Sequence, residues 1–150
     1  MKQIIQLNSQ AKLSEHFTLG EMTTSNHKEV YNIPSHEAIA NLKRLCGWLE
    51  VLRERSGGPV RINSGYRSPQ LNRKIGGAPT SNHLTGCACD IRVAGMEQAI
   101  RYAAILLDYS QESNQDFDEL LIEKNRYGAI WVHFAVRPSN NRRKVLFINA

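Results

Sequence analysis

Two long stretches of the chain carry apolar residues at the three- and four-residue spacing of an amphipathic helix. The first follows Ser35, a good N-cap, and runs through "HEAIANLKRLCGWLEVL" until "SGG" at residues 56–58 ends the pattern. The second is "MEQAIRYAAILLDY", residues 96–109. Between them, "SPQLNRKIGG" has a serine cap, a proline at the first helical position and a terminating glycine pair, and therefore predicts a short helix.

Shorter runs have the alternation or apolar density that is typical of β-strands. They are "PVRINS" at residues 59–64, residues 87–93, "FDELLIE" at 117–123, "AIWVHFAV" at 129–136 and "KVLFIN" at 144–149. The polar "KNRYG" between the third and fourth runs, with Gly128, predicts a β-hairpin. The pattern indicates an α+β fold in which helices flank a mainly antiparallel sheet, with residues 1–150 as a single domain.

The length of 150 residues suits one compact domain. No run approaches the roughly 20 apolar residues of a membrane span, so we expect none. The first residues, "MKQIIQLNSQAKLSEHF", contain no long apolar region followed by a small-residue cleavage site. We therefore expect no secretory signal peptide, and an action outside the cytoplasm would need lysis or another export route.

The formal net charge of +5 favours anionic partners such as nucleic acid, an anionic membrane or bacterial cell wall. The basic residues are scattered and no recognition motif accompanies them, so we expect no nucleic-acid partner.

Three cysteines are an odd count that does not suit a disulfide framework. We expect free thiols.

The segment "SNHLTGCACDI" and a later histidine provide a candidate metal site. We interpret His83, Asp90 and His133 as ligands of one ion, because two imidazoles and a carboxylate are a typical catalytic zinc set with one position left for water. Strand alternation would put Asp90 on one face of its strand and Cys87 and Cys89 on the other. From spacing alone the alternative stays open, since a histidine and an aspartate at this separation are common by chance.

"INSGYRSPQLN" places Arg67 between the end of a strand and the start of a helix. A guanidinium there can bind a substrate carboxylate through two parallel hydrogen bonds. The alternative is an ordinary surface arginine that caps a turn.

Taken together, "SGYRSPQLNRKIGG", "SNHLTGCACD" and "WVH" resemble, in this order, the zinc D-alanyl-D-alanine carboxypeptidase family. That family also includes D-Ala-D-Ala dipeptidases and phage L-alanyl-D-glutamate endolysins. "HFTLGEMTTSNHKEVYNIP" resembles the N-terminal segment of one branch, so the resemblance covers nearly the whole chain.

The resemblance implies the small α+β fold shared by D,D-peptidases and the hedgehog signalling domain. It implies that His83, Asp90 and His133 bind Zn²⁺, and that Arg67 and Ser81 hold the substrate peptide. The implied activity is zinc-dependent hydrolysis of D-amino-acid-containing bonds in peptidoglycan stem peptides at the bacterial cell wall, either as a D,D-carboxypeptidase or as an L-alanyl-D-glutamate endopeptidase. We expect the protein to be a monomer. A non-catalytic relative that binds wall peptides or a protein partner is the alternative.

The chain departs from the family pattern at the catalytic carboxylate. Many relatives carry an acid three residues before the last histidine, where this chain has Ile130. If the hairpin pairs Glu123 with Trp131, Glu123 lies on the same face as His133 and can act as the base. A register shift of one residue would turn Glu123 away and leave it a solvated acid at the strand end. Asp118 and Glu119 are the other candidates for the base.

Overall fold

The computed structural model describes residues 8–149. Residues 1–7 of the segment considered above for a signal peptide therefore lie outside the described residues. The helices are α1 (Leu19–Met22), α2 (His36–Ser56), α3 (Pro69–Lys74) and α4 (Met96–Ser113), with a 3₁₀ turn at Asn82–Thr85. The strands are β1 (Ile62–Ser64), β2 (Ala88–Arg92), β3 (Glu119–Lys124), β4 (Ile130–Ala135) and β5 (Lys144–Asn149). Within the described part of the chain, no helix is long and apolar enough to cross a membrane.

The long helix α2 begins and ends at its predicted capping residues. The Ser35 hydroxyl accepts a hydrogen bond from the Ala38 N–H at the start of α2 (3.1 Å), and Gly57, with φ of 77°, ends that helix in the left-handed conformation. The sequence analysis did not predict α1. Its signal was a capping box, because the Thr18 hydroxyl accepts from the Glu21 N–H and the Glu21 carboxylate accepts from the Thr18 N–H.

The strands form one five-stranded sheet in the order β1-β2-β4-β3-β5. The predicted α+β class is confirmed, and neighbouring strands are antiparallel except for β5, which is parallel to β3. β4 ends beside the start of β3, and the loop of residues 136–143 delivers the chain to that same end on the other side of β3. β5 therefore runs in the direction of β3, and the sheet is mixed.

The two faces of the sheet have different environments. One face packs on α2 and α4, where the rings of Trp48 and Phe134 lie 5.3 Å apart. Cys89 lies in this core, Cys87 is also buried, and both are free thiols, so the prediction that they are core residues is confirmed. Residues that alternate with the core positions, including Asp90 and His133, lie on the opposite face.

Candidate metal centre

Three elements that are distant in sequence bring His83, Asp90 and His133 together. His83 lies on the 3₁₀ turn, while Asp90 on β2 is paired directly with His133 on β4. Asp90 Oδ1 is 3.4 Å from His83 Nε2 and 3.1 Å from His133 Nδ1. One possible ligand atom from each residue lies within 4.8 Å of the others. The structure therefore places the three predicted ligands in one cluster.

His83 presents a free nitrogen to this cluster. Its Nδ1 lies 2.6 Å from the Gly65 carbonyl oxygen. A carbonyl can only accept, so Nδ1 carries a proton, and the neutral form of the ring has its lone pair on Nε2. Nε2 is buried and has no hydrogen-bond partner among the described residues. A buried polar atom without a partner costs about 1–3 kcal/mol, and a cation beside Nε2 would satisfy it.

The main chain around His83 is fixed by close packing. A side chain at Gly65 would collide with the Met22 carbonyl oxygen, which accepts a hydrogen bond from the Tyr66 N–H (2.8 Å). The Ser81 hydroxyl accepts from the His83 N–H (3.2 Å), and the His83 carbonyl accepts from the Arg67 N–H (3.0 Å). Glycine is needed at position 65 so that its carbonyl can reach the imidazole.

His133 has a carboxylate at each ring nitrogen. Nδ1 lies 3.1 Å from Asp90 Oδ1, and Nε2 lies 3.0 Å from Glu119 Oε1. Burial alone would lower the pKa of His133, but the hydrogen bonds to Asp90 and Glu119 outweigh it and raise the pKa to about 9. The pocket around His133 thus favours positive charge, either on the ring or on a bound cation.

Asp90 is held as a carboxylate. Burial would raise its pKa, but the hydrogen bond with His133 and the charges of the adjacent His83 and His133 rings outweigh it and hold the pKa of Asp90 well below the usual range. Its second oxygen, Oδ2, is 3.3 Å from Arg67 Nη2. An ionised carboxylate next to two imidazoles is the donor set that Zn²⁺ binds.

Arg67 is not an ordinary surface arginine. Its side chain is only 12% exposed and, besides Asp90, it donates from Nε to the Ser64 hydroxyl and from Nη1 to Asn72 Oδ1 (both 3.1 Å). These contacts place the guanidinium beside the metal cluster. The predicted contact of Arg67 and Ser81 with a substrate stays a prediction.

The hairpin has the predicted register. Leu121 lies opposite His133 and Glu123 lies opposite Trp131, so Glu123 is on the same face as the metal cluster. Burial raises the pKa of the Glu123 carboxyl, against the opposing effect of the nearby His133. The catalytic role of Glu123 stays a prediction. Ile130, three residues before His133, is half-buried.

The other two carboxylates considered for the base have different surroundings. Asp118 is fully buried and receives two side-chain hydrogen bonds from Arg142 (3.0 and 2.8 Å). Glu119 Oε1 accepts from Asn82 Nδ2 (2.7 Å) as well as from His133. The sequence analysis missed Asn82, and its position next to His83 in the "SNH" motif was the available signal.

A family model described as Peptidase M15 matches residues 15–126, about three quarters of the chain. The match includes His83, Asp90 and Glu123 but ends before His133, whose place in the cluster comes from the pairing of β4 with β2. No curated protein matches the chain. Since the matched residues extend from before α1 to the β3–β4 loop, the chain belongs to the peptidase M15 family, the zinc D-Ala-D-Ala carboxypeptidase family that its motifs resemble.

Proposed function

We propose that the protein is a zinc peptidase that hydrolyses D-amino-acid-containing bonds in the stem peptides of peptidoglycan. The observation that carries this proposal is the convergence of His83, Asp90 and His133, with His83 Nε2 buried and unpaired within the described residues. Membership of the peptidase M15 family supports peptide hydrolysis as the reaction.

The three side chains fit a catalytic zinc ion. His83 would bind through Nε2, His133 through Nδ1 and Asp90 through Oδ1, the atoms that face one another in the cluster. Structural zinc sites use four protein ligands, whereas a three-residue set keeps a position open. A zinc ion in this site supplies a Lewis acid that polarises a peptide carbonyl and makes a water molecule more acidic.

Glu123 is the proposed general base. It takes a proton from the attacking water and returns it to the leaving amine. Burial raises the pKa of the Glu123 carboxyl in the metal-free site, and a general base is most efficient when its pKa lies near the working pH. The position opposite Trp131 supports this role, because it puts the carboxyl on the face of the sheet that carries His133.

Arg67 and Ser81 are the proposed substrate contacts. Arg67 uses one N–H of each terminal nitrogen for Asn72 and Asp90, so a second N–H on each remains for a substrate carboxylate. Peptidoglycan stem peptides carry free carboxylates next to D-amino acids. We propose that the protein acts on the bacterial cell wall.

A wall-peptide-binding module without hydrolytic activity is the second candidate. Ile130 favours it, because many relatives have an acid at this position. In that case the zinc site would bind or order a peptide, and Glu123 would have no part in proton transfer.

Cleavage of defined muropeptides separates the two candidates. Zinc-loaded protein should generate new amino termini, detected by mass spectrometry, and Glu123→Gln should abolish cleavage while it keeps its zinc. Glu97→Gln, which changes an exposed helical glutamate, is the matched control. Release of free D-alanine would identify a carboxypeptidase, and cleavage within the stem an endopeptidase. Binding of stem peptides without cleavage of any would favour the binding module.

A further inference from the structure

In each histidine of the cluster, the ring nitrogen that faces away from the other ligands, here called the outer nitrogen, has its own hydrogen-bond acceptor. The outer nitrogen of His83, Nδ1, donates to the main-chain carbonyl of Gly65 (2.6 Å). The outer nitrogen of His133, Nε2, faces the side chain of Glu119 (3.0 Å). A ligand histidine needs such an acceptor, because the acceptor fixes the tautomer and the orientation of the ring.

Neighbouring side chains fix the position of the Glu119 carboxylate. Its side chain is 15% exposed, Oε1 accepts from Asn82 Nδ2 (2.7 Å), and Oε2 lies 3.6 Å from Arg142 Nη2. Asn82 directly precedes His83 on the 3₁₀ turn. Glu119 therefore connects the elements that carry the two histidines, in addition to its contact with the ring.

We propose that Glu119 is a positioning residue that accepts the Nε2–H hydrogen bond of His133 and thereby holds Nδ1 towards the metal position beside Asp90. This inference rests on the proposed zinc site and deepens it. It gives Glu119 a role other than the general base, since Oε1 already has two donors. Glu123 is left as the carboxylate on this face that can transfer protons.

The geometry predicts different effects for two substitutions of the same residue. Glu119→Ala removes the acceptor, and the loss of such a partner weakens metal binding by about 10- to 100-fold. Glu119→Gln keeps an oxygen that can accept from both His133 and Asn82, so its zinc affinity should stay within about threefold of the wild type. The contrast isolates the hydrogen bond from the bulk of the side chain.

The experiment is a competition titration of Zn²⁺ against a chromophoric chelator, with the visible spectrum of the Co²⁺-loaded protein as a second readout. The spectrum reports ligand geometry, which a purely structural role of Glu119 would leave unchanged. Glu97→Ala, at a position whose side chain is 81% exposed, controls for the loss of one negative charge. Glu119→Asp keeps the charge but shortens the side chain, so it replaces the alanine variant if that variant does not fold.

Weakened zinc binding and an altered Co²⁺ spectrum in Glu119→Ala or Glu119→Asp, with near wild-type behaviour of Glu119→Gln, would support the positioning role. Wild-type affinity in the alanine and aspartate variants would overturn this role while the zinc site stands. Equal weakening in the glutamine variant would also overturn it, because the acceptor would then not be the decisive property. If the wild-type protein itself binds no Zn²⁺, the proposed function fails and the inference fails with it.

Discussion

The carboxylate of Asp118 contributes to the free energy of unfolding by an amount that depends on pH. Its side chain is fully buried and accepts hydrogen bonds from the side chain and main chain of Arg142 (2.8–3.0 Å) and from Asn82 (2.8 Å), while Arg137 Nε lies 3.2 Å away. Burial alone would raise the pKa of Asp118, but the hydrogen bonds from Arg142 and Asn82 and the charge of Arg137 lower it from 3.8 to about 2.

The size and sign of the effect follow from the two pKa values. A pKa about two units lower in the folded state is worth about 2 kcal/mol of unfolding free energy. Because the folded pKa is the lower one, the contribution is fully present above the unfolded pKa of 3.8 and is lost as the pH falls through the folded pKa of about 2. About half of it should remain near pH 3.

The assay is urea unfolding of the wild type and of Asp118→Asn at several pH values between about 6 and 2.5. The variant should be less stable by about 2 kcal/mol near pH 6, and the difference should shrink to about 1 kcal/mol near pH 3. Other carboxylates titrate in both proteins and cancel in the difference. A difference that is independent of pH, or absent near pH 6, would refute the reasoning.

Three further predictions concern the site and its support. Because burial raises the pKa of Glu123 in the metal-free site, the Glu123 carboxyl of zinc-free protein should titrate above the ordinary glutamate value of 4.5 in an NMR titration, and a value at or below 4.5 would contradict this effect of burial. Gly65→Ala should lower both the zinc affinity and the unfolding free energy, the latter by about 1–3 kcal/mol, because the new Cβ would collide with the Met22 carbonyl. Gly58→Ala is the control, since a Cβ at that position meets open space. Equal effects of the two substitutions would contradict the collision. Cys89→Ala should retain the wild-type zinc content, measured by atomic emission, because Cys89 lies in the core, on the face of the sheet opposite to the metal cluster. Loss of zinc from a folded Cys89→Ala variant would identify Cys89 as a ligand.

The sequence predicts the features that depend on local patterns. Ser35 and Gly57 mark the ends of α2, and the polar loop around Gly128, where φ is 88°, predicts the β3–β4 hairpin. The structure has the hairpin register on which the prediction for Glu123 depends, with Glu123 opposite Trp131. These signals are local because caps and tight turns are set by a few consecutive residues.

The rest depends on contacts between distant segments. The parallel pairing of β5 with β3 is decided by where the loop of residues 136–143 crosses the end of the sheet, which no local pattern encodes. The contact of Glu119 with His133 likewise requires the register of β3 on β4 together with the side-chain directions. The sequence therefore identifies candidate ligands, while the structure shows what holds them in place.

Zinc content is the most direct test of the three-residue metal site. Wild-type protein, loaded with Zn²⁺ and dialysed, should contain about one ion per chain, and so should the surface variant Glu97→Ala. His83→Ala and His133→Ala should each lose the ion while circular dichroism shows that they stay folded. Full zinc content in either folded histidine variant would contradict the site.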